Sequence, residues 1–329
     1  MSSPPPYIEL HAHSAFSFLD GASTPLELAG AAAELGYPAL ALTDHDGLWG
    51  SMEFAHCAVG LGLRPITGAE LTLRVDHGVD GPKNHGMAHF SAHQHLTLLV
   101  EDAAGYRNLC RLLTAAHSHT RDSTARMAEP AWTTLEEVER HSDGLVCLSG
   151  CARDGALAGA FERGDTALGE TLGRRLLAAF GRDRFRVELQ RPYWRRDRAR
   201  NRWLALLAER LDVPIVATGN VHAHARSRSH LQDALVAIGL NQTLESSEPL
   251  RRGNSTSALA SPAAMAARFA EHPDAVAETV RLAERLTFDL TEDLGYRYPG
   301  SEDETADGEL ARVCAHMLAE CYAGDPRRV

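Results

Sequence analysis

Lysine is nearly absent. The 329 residues contain one, Lys83, against 32 arginines, an imbalance that reflects a GC-rich genome more than chemistry. Basic charge is also in deficit, with 33 basic and 44 acidic residues leaving −11, so no whole-chain field exists to hold nucleic acid. Only six cysteines occur and none form a C-x-x-C pair, which argues against a disulfide-stapled secreted domain and against a zinc ribbon. No stretch approaches the roughly 18 consecutive apolar residues of a membrane span. The first six residues are polar and proline-rich, without the basic-then-apolar order of a signal peptide, and residues 1–6 read as a disordered N-terminus. A composition of 44% hydrophobic and 23% charged residues is ordinary for a globular chain and excludes collagen and coiled coil. The expectation is a soluble cytoplasmic protein with no membrane contact.

Histidine, by contrast, is plentiful: 11 of the 17 fall before residue 120. Around them, short apolar runs alternate with helical stretches. Strands are expected at 7–10, 39–43, 64–67, 96–100, 144–148, 185–189 and 214–217. Helices are expected at 26–35, 48–59, 104–116 and 198–211, the first with a Thr24-Pro25 start and a Gly36 stop. Strands linked by helices predict an α/β fold with a mostly parallel sheet; pattern alone leaves an open doubly wound sheet and a closed barrel both possible. Residues 76–94, 117–130 and 242–260 read as loops. Further helices are expected at 262–270, 273–286 and 309–322.

Residues with ligand chemistry recur where these strands end. His11 and His13 follow the first, on alternate positions that point the same way along an extended chain. Asp20 lies in the next loop, and Asp44-His45-Asp46 follows the second strand. Glu70 follows the third, Cys151 the fifth, and Asn220-Val221-His222 the seventh, while His95 stands near the start of the fourth. Singly each has a bland reading: the aspartates as turn formers beside Gly47, Cys151 as a small buried residue. Together they form a candidate site, because barrel strands converge at their C-terminal ends. Imidazole and thiolate suit Zn, and carboxylates also accept Mn or Mg. A bridging carboxylate such as Glu70 suits a pair of ions acting on a phosphoester.

The stretch from Glu9 through Leu-His-Ala-His-Ser-Ala-Phe-Ser-Phe-Leu-Asp-Gly to Ala22, then Ala41-Leu-Thr-Asp-His-Asp-Gly47 and Gly68-Ala-Glu70, resembles the polymerase-and-histidinol-phosphatase (PHP) domain. His95-Leu-Thr-Leu-Leu, Leu148-Ser-Gly-Cys151, Val187-Glu-Leu-Gln190 and Ala217-Thr-Gly-Asn-Val-His222 continue the match in order. The wording is that of bacterial C-family DNA polymerases (the DNA polymerase III alpha subunit family), closest to the error-prone branch. The resemblance implies a distorted TIM-like barrel of seven β/α units with a metal cluster at the strand C-terminal face. It implies a PHP domain over 7–290, and a linker with the first helix of a polymerase region over 291–329. It also implies two or three divalent metal ions. One would be held by His11, His13, Glu70 and residue 220, a second by Glu70, His95 and Cys151, and a third by Asp20, His45 and His222. His11, His13, Glu70 and His222 are the residues expected to carry catalysis. The family pattern has Asp at 220, where this chain has Asn220. Asp20 stands where monofunctional phosphatases more often carry His, which favours the polymerase branch.

Three functional readings follow. One is a metal-dependent phosphoesterase or 3′–5′ exonuclease module of a polymerase, meeting DNA through that parent and acting on a nucleotide or phosphate ester. Another is a scaffold with a degraded site, and the third a free-standing phosphatase. The catalytic palm of such polymerases is expected to be missing from these 329 residues. The arginine-dense stretch 174–202, eleven arginines against Asp183, Glu188 and Asp197, reads as a solvated face in preference to a template-binding surface.

Overall fold

The structure is a computed structural model that describes residues 6–74, 93–120, 130–295 and 306–322. Six strands form one sheet in chain order: β1 (Ala39–Leu42), β2 (Arg64–Arg74), β3 (His93–Val100), β4 (Leu145–Leu148), β5 (Phe185–Gln190) and β6 (Ile215–Thr218). The segment expected as a first strand at 7–10 is not a regular strand. Its backbone instead bridges both outer edges, Glu9 to Leu40 beside β1 and Ala12 to Val221 just past β6. Ala41 N donates to Glu9 O and Thr43 N to Ala12 O on one side; Val221 N donates to His11 O and His13 N to Val221 O on the other. The sheet therefore returns on itself, as a distorted barrel requires.

β3 is the exception in a mostly parallel sheet. It runs against both neighbours, antiparallel to β2 and to β4, while β1–β2, β4–β5 and β5–β6 are parallel. Directly paired antiparallel strands need no crossover helix, and β2 and β3 pair over seven residues, Gly68 to Arg74. This is why both strands run longer than the apolar runs alone suggest. It also explains the odd position of His95. Because β3 is inverted, its N-terminal end lies where its neighbours have their C-terminal ends.

Alternation along the strands divides one sheet face into two ends. Ile66, Leu99, Val146, Leu148 and Val216 build an apolar cluster that the helix Pro273–Arg285 closes with Leu282 and Ala283. Farther along the same face stand Glu70, Thr97, Glu188 and Thr218, all buried. The other face packs Leu40, Leu42, Leu96, Leu98, Val187 and Leu189 under the surrounding helices. The helix Pro25–Glu34 shows why these helices begin where they do. Thr24 and Glu27 cap each other reciprocally, and proline occupies its first turn, where no N–H is needed.

Residues 76–92 of the loop expected at 76–94 and 121–129 of that at 117–130 lie outside the described residues, as do residues 1–5, 296–305 and 323–329 of the expected terminus and linker; residues 93 and 94 are not loop but open β3. Residues 242–260 are not a simple surface loop. They contain a short helix, Leu244–Ser247, and bury Ser257, Ala258 and Leu259. The chain divides into two compact units, 1–293 and 294–329. The second contains the helix Ala306–Tyr322, whose Leu310, Val313 and Met317 are exposed. Among the described residues no helix is long and apolar enough to cross a membrane.

Candidate metal centre

Four of the predicted residues meet around the carboxylate of a fifth. Glu70 is 1% exposed, and its two oxygens face four imidazoles. Oε1 lies 3.5 Å from His11 Nε2 and 3.5 Å from His95 Nδ1; Oε2 lies 3.4 Å from His13 Nε2 and 3.1 Å from His45 Nδ1. His45 Nε2 turns to Asp20 at 3.3 Å, and His222 Nε2 approaches the same carboxylate at 2.9 Å. Cys151 Sγ stands 3.7 Å from His95 Nδ1. Asn220 lines the cavity above them, about 370 Å³ in volume.

The backbone makes these approaches possible. Gly150 takes φ +90°, and a Cβ there would fall 2.0 Å from His95 O, so only glycine brings the Cys151 loop against β3. A Cβ on Gly21 would fall 1.8 Å from Ser14 O, which holds the Asp20 loop against the segment carrying His11 and His13. Asn220 has φ 47°, a conformation that asparagine tolerates better than most residues.

Each inner histidine is oriented from behind. Glu188 accepts from His11 Nδ1 at 2.7 Å. His13 Nδ1 meets Ser17 Oγ at 3.3 Å, and Ser17 in turn donates to Asp44 at 2.7 Å. His222 Nδ1 donates to Asn220 O at 2.9 Å. In all three rings Nδ1 is anchored and Nε2 faces inward, the arrangement that fixes the tautomer of a metal-ligating histidine.

Electrostatics follow from burial against these charges. Burial alone would lower His11 and His95, yet Glu188 and Glu70 hold His11 well above the ordinary histidine range, and Glu70 does the same for His95. Burial, with His222 and His45 beside it, pushes His13 well below. Burial and the Arg252 guanidinium take His222 down to about 4. Asp20 and Glu70 stay well below the usual carboxylate range despite burial. Arg252 and His222 hold the first there, and His95, His11 and His45 the second.

Among the buried polar atoms with no hydrogen-bond partner are His11 Nε2, His13 Nε2, Glu70 Oε1 and Asn220 Oδ1. Buried polar groups are rarely left so, and these four belong to the residues that face the centre. Three sets have ligand atoms within 4.8 Å of one another: His11, His13 and Glu70; His45, Glu70 and His95; His13, His45 and His222. A borderline-soft nitrogen-and-carboxylate set of this kind fits Zn or Mn.

The model of the PHP domain matches residues 9–192. The chain belongs to the PHP domain family. The error-prone DNA polymerase of Symbiobacterium thermophilum is 37% identical across 98% of this chain, and that of Mycolicibacterium paratuberculosis 38% identical across 87%. DNA polymerase III subunit alpha of Pseudomonas aeruginosa is 32% identical across 86%. This PHP chain spans 28%, 25% and 23% of the lengths of those relatives. An amidohydrolase from Chromobacterium violaceum, solved with sulfate and no metal, superposes with a TM-score of 0.48 at 18% identity, covering 66% of this chain and 87% of that one.

Three residues of this PHP domain escaped sequence reasoning. Glu188 sits mid-strand in the run Phe-Arg-Val-Glu-Leu-Gln, and its buried carboxylate among apolar neighbours was the available signal. Asp44, read as a turn former, is buried and holds the 14–17 turn through Ser14 N, Ser14 Oγ and Ser17 Oγ. Arg252 lies in the stretch read as surface loop and donates to Asp20 at 3.0 Å; no local pattern marked it. The arginine-dense stretch is largely neutralised. Arg174, Arg175, Arg184, Arg186, Arg196, Arg198 and Arg200 each pair with a carboxylate; Arg186 and Arg200 are buried and so do not belong to the expected solvated face.

Proposed function

We propose that this PHP domain is a divalent-metal-dependent phosphoesterase, a 3′–5′ exonuclease module of an error-prone-type C-family DNA polymerase. It would act in the cytoplasm and meet DNA through the parent protein. The observation that carries the reading is the set of inward atoms with no hydrogen-bond partner, His11 Nε2, His13 Nε2, Glu70 Oε1 and Asn220 Oδ1. His11, His13, Glu70 and Asn220 would hold one ion, and Glu70, His95 and Cys151 a second, with Asp20, His45 and His222 beside them. Residues 7–290 would form the metal-binding barrel and 291–329 the start of a connection to the polymerase region.

When bound, divalent metal ions polarise a phosphoryl oxygen and lower the pKa of water. The chain's own part is positional. Glu188, Ser17 and the Asn220 carbonyl hold the His11, His13 and His222 rings with Nε2 inward. His222, kept neutral at physiological pH, is an acceptor there and not an acid. The cavity above the cluster, lined by Phe18, Leu19, Trp194 and Leu240, offers an apolar rim to the remainder of a nucleotide.

The test is the double substitution His11→Ala with His13→Ala. It should abolish Mn-dependent release of nucleotides from single-stranded DNA and leave the melting temperature in metal-free buffer within a few degrees of the parent. One observation favours a scaffold as the second reading. Asn220 offers a neutral oxygen where a carboxylate would bind a hard cation better. A metal-loaded parent chain without nuclease activity would decide for the scaffold.

A further inference from the structure

The guanidinium of Arg252 stands where the Asp20–His222 pair turns its acceptors inward. Nη2 lies 3.2 Å from Asp20 Oδ1, 3.0 Å from Asp20 Oδ2 and within hydrogen-bond distance of His222 Nε2. Arginine carries five N–H donors and no acceptor, so these contacts use the lone pairs through which Asp20 and His222 would bind a cation. We propose that Arg252 is a built-in cation of this pair and sets the capacity of the site at two metal ions, not three. The inference rests on the metal-binding reading above and concerns only how many ions that site takes.

Arg252 is not a loose surface side chain that happens to fall there. The three carbonyls of its own segment are each held by the barrel. Arg153 Nη1 donates to Leu250 O at 2.8 Å, Arg153 Nη2 to Arg251 O at 3.1 Å, and Trp194 Nε1 to Arg252 O at 3.2 Å. Arg251 pairs with Asp233 at 2.6 Å, on the neighbouring helix Ser229–Gly239. A backbone held at three successive carbonyls presents the side chain in one direction, so ordering it over Asp20 costs little additional conformational entropy.

Among the described residues, no other arginine lies within hydrogen-bond distance of the remaining donor sets. His11, His13 and Glu70 form one donor set, and His45, Glu70 and His95 another; both converge on Glu70. The third set, His13, His45 and His222, contains the one ring whose inward nitrogen already accepts from Arg252. A guanidinium on Asp20 and His222 leaves a fixed positive charge at the edge of the cavity, which contains Arg252, Arg153 and Arg251 in its lining. It supplies there the charge neutralisation that a third ion would, without exchanging.

Elemental analysis of the full chain, saturated with Mn and freed of excess by gel filtration, tests the proposal. The parent should hold two ions per chain and Arg252→Ala three, and adding Asp20→Ala to Arg252→Ala should return the count to two. Asp20→Ala alone, with Arg252 intact, should leave the count at two; loss of an ion in that variant overturns the proposal whether or not Arg252→Ala folds. Three ions in the parent, or no gain in a folded Arg252→Ala, would also overturn it and leave the metal-binding reading standing. No ion in parent or variants sinks both.

Discussion

Glu188→Gln separates charge from shape at the metal centre. One oxygen of this carboxylate, Oε1, takes every donor: His11 Nδ1 at 2.7 Å, Gln190 Nε2 at 2.7 Å and the Thr218 hydroxyl. The other, Oε2, is buried without a partner. A glutamine can therefore keep its carbonyl oxygen at the Oε1 position and place its amide group where no donor competes. The three hydrogen bonds survive, and only the negative charge behind His11 is lost. Removing such an outer partner typically weakens metal affinity 10- to 100-fold, about 1.4–2.8 kcal/mol, because the imidazole becomes a poorer base. Glu188→Ala does more. It removes an acceptor shared by three buried donors; Gln190 Nε2 still reaches Thr218 Oγ1 at 3.1 Å and Thr97 Oγ1 stands 3.2 Å from His11 Nδ1, so part of the roughly 1–3 kcal/mol for each unmade bond is lost and the fold should be destabilised even without metal. The assay is a Mn titration against a competing chelator, beside urea unfolding in metal-free buffer. Glu188→Gln should lose affinity and keep its unfolding midpoint, whereas Glu188→Ala should lose both. Unchanged Mn affinity in Glu188→Gln would refute the claim that this carboxylate tunes a metal ligand.

Asn220→Asp adds a charge at a buried oxygen that has no partner, so it should tighten Mn binding by about tenfold and lower the melting temperature of the metal-free chain. Equal metal-induced shifts in melting temperature for the parent and variant would mean that residue 220 does not face the ion. Glu278→Ala removes the buried partner that Arg186 Nε meets at 2.7 Å. Breaking such a pair costs about 3–5 kcal/mol, and three backbone carbonyls around Arg186 Nη1 place the loss at the lower end. Urea unfolding reads it, and a midpoint shift equivalent to under about 1 kcal/mol would show that this pair does not secure the closing helix.

Periodicity made most of the fold legible because the barrel strands are buried on both faces and so read as unbroken apolar runs. It failed where the structure depends on contacts distant in sequence. The inversion of β3 leaves no local trace, since a strand's pattern is the same in either direction. Residues 7–10 read as a strand, yet the segment 7–13 bridges β1 on one side and the chain beyond β6 on the other, with too few paired residues to form a ladder. The ligand residues were visible because they cluster at the ends of apolar runs, a position that only one face of the barrel makes sense of. What lay behind them was not. Glu188, Asp44 and Arg252 act across separations of 177, 27 and 232 residues from His11, Ser17 and Asp20, and no short motif records such pairings.

The enzyme and scaffold readings share their ligands, and this constrains how they can be told apart. A metal bound only by the folded chain adds about 2.7 kcal/mol of stability at 100 times its Kd. Any ligand substitution therefore lowers the melting temperature in the presence of metal, whether or not the site turns over a substrate. Measured with Mn, a large drop for His11→Ala with His13→Ala would count for neither side. In metal-free buffer the linkage vanishes, and what remains is the role of the imidazoles themselves. That residue of stability has two opposed parts. Both rings are fully buried, so their loss opens space and forfeits packing. They also press two inward nitrogens with no partner against Glu70, and removing an unsatisfied buried group returns some of that cost. The near-cancellation is why a small metal-free shift is expected. It follows that the rate of nucleotide release by the metal-loaded chain distinguishes a catalytic site from a metal staple, while melting measured without metal checks that the double variant still folds.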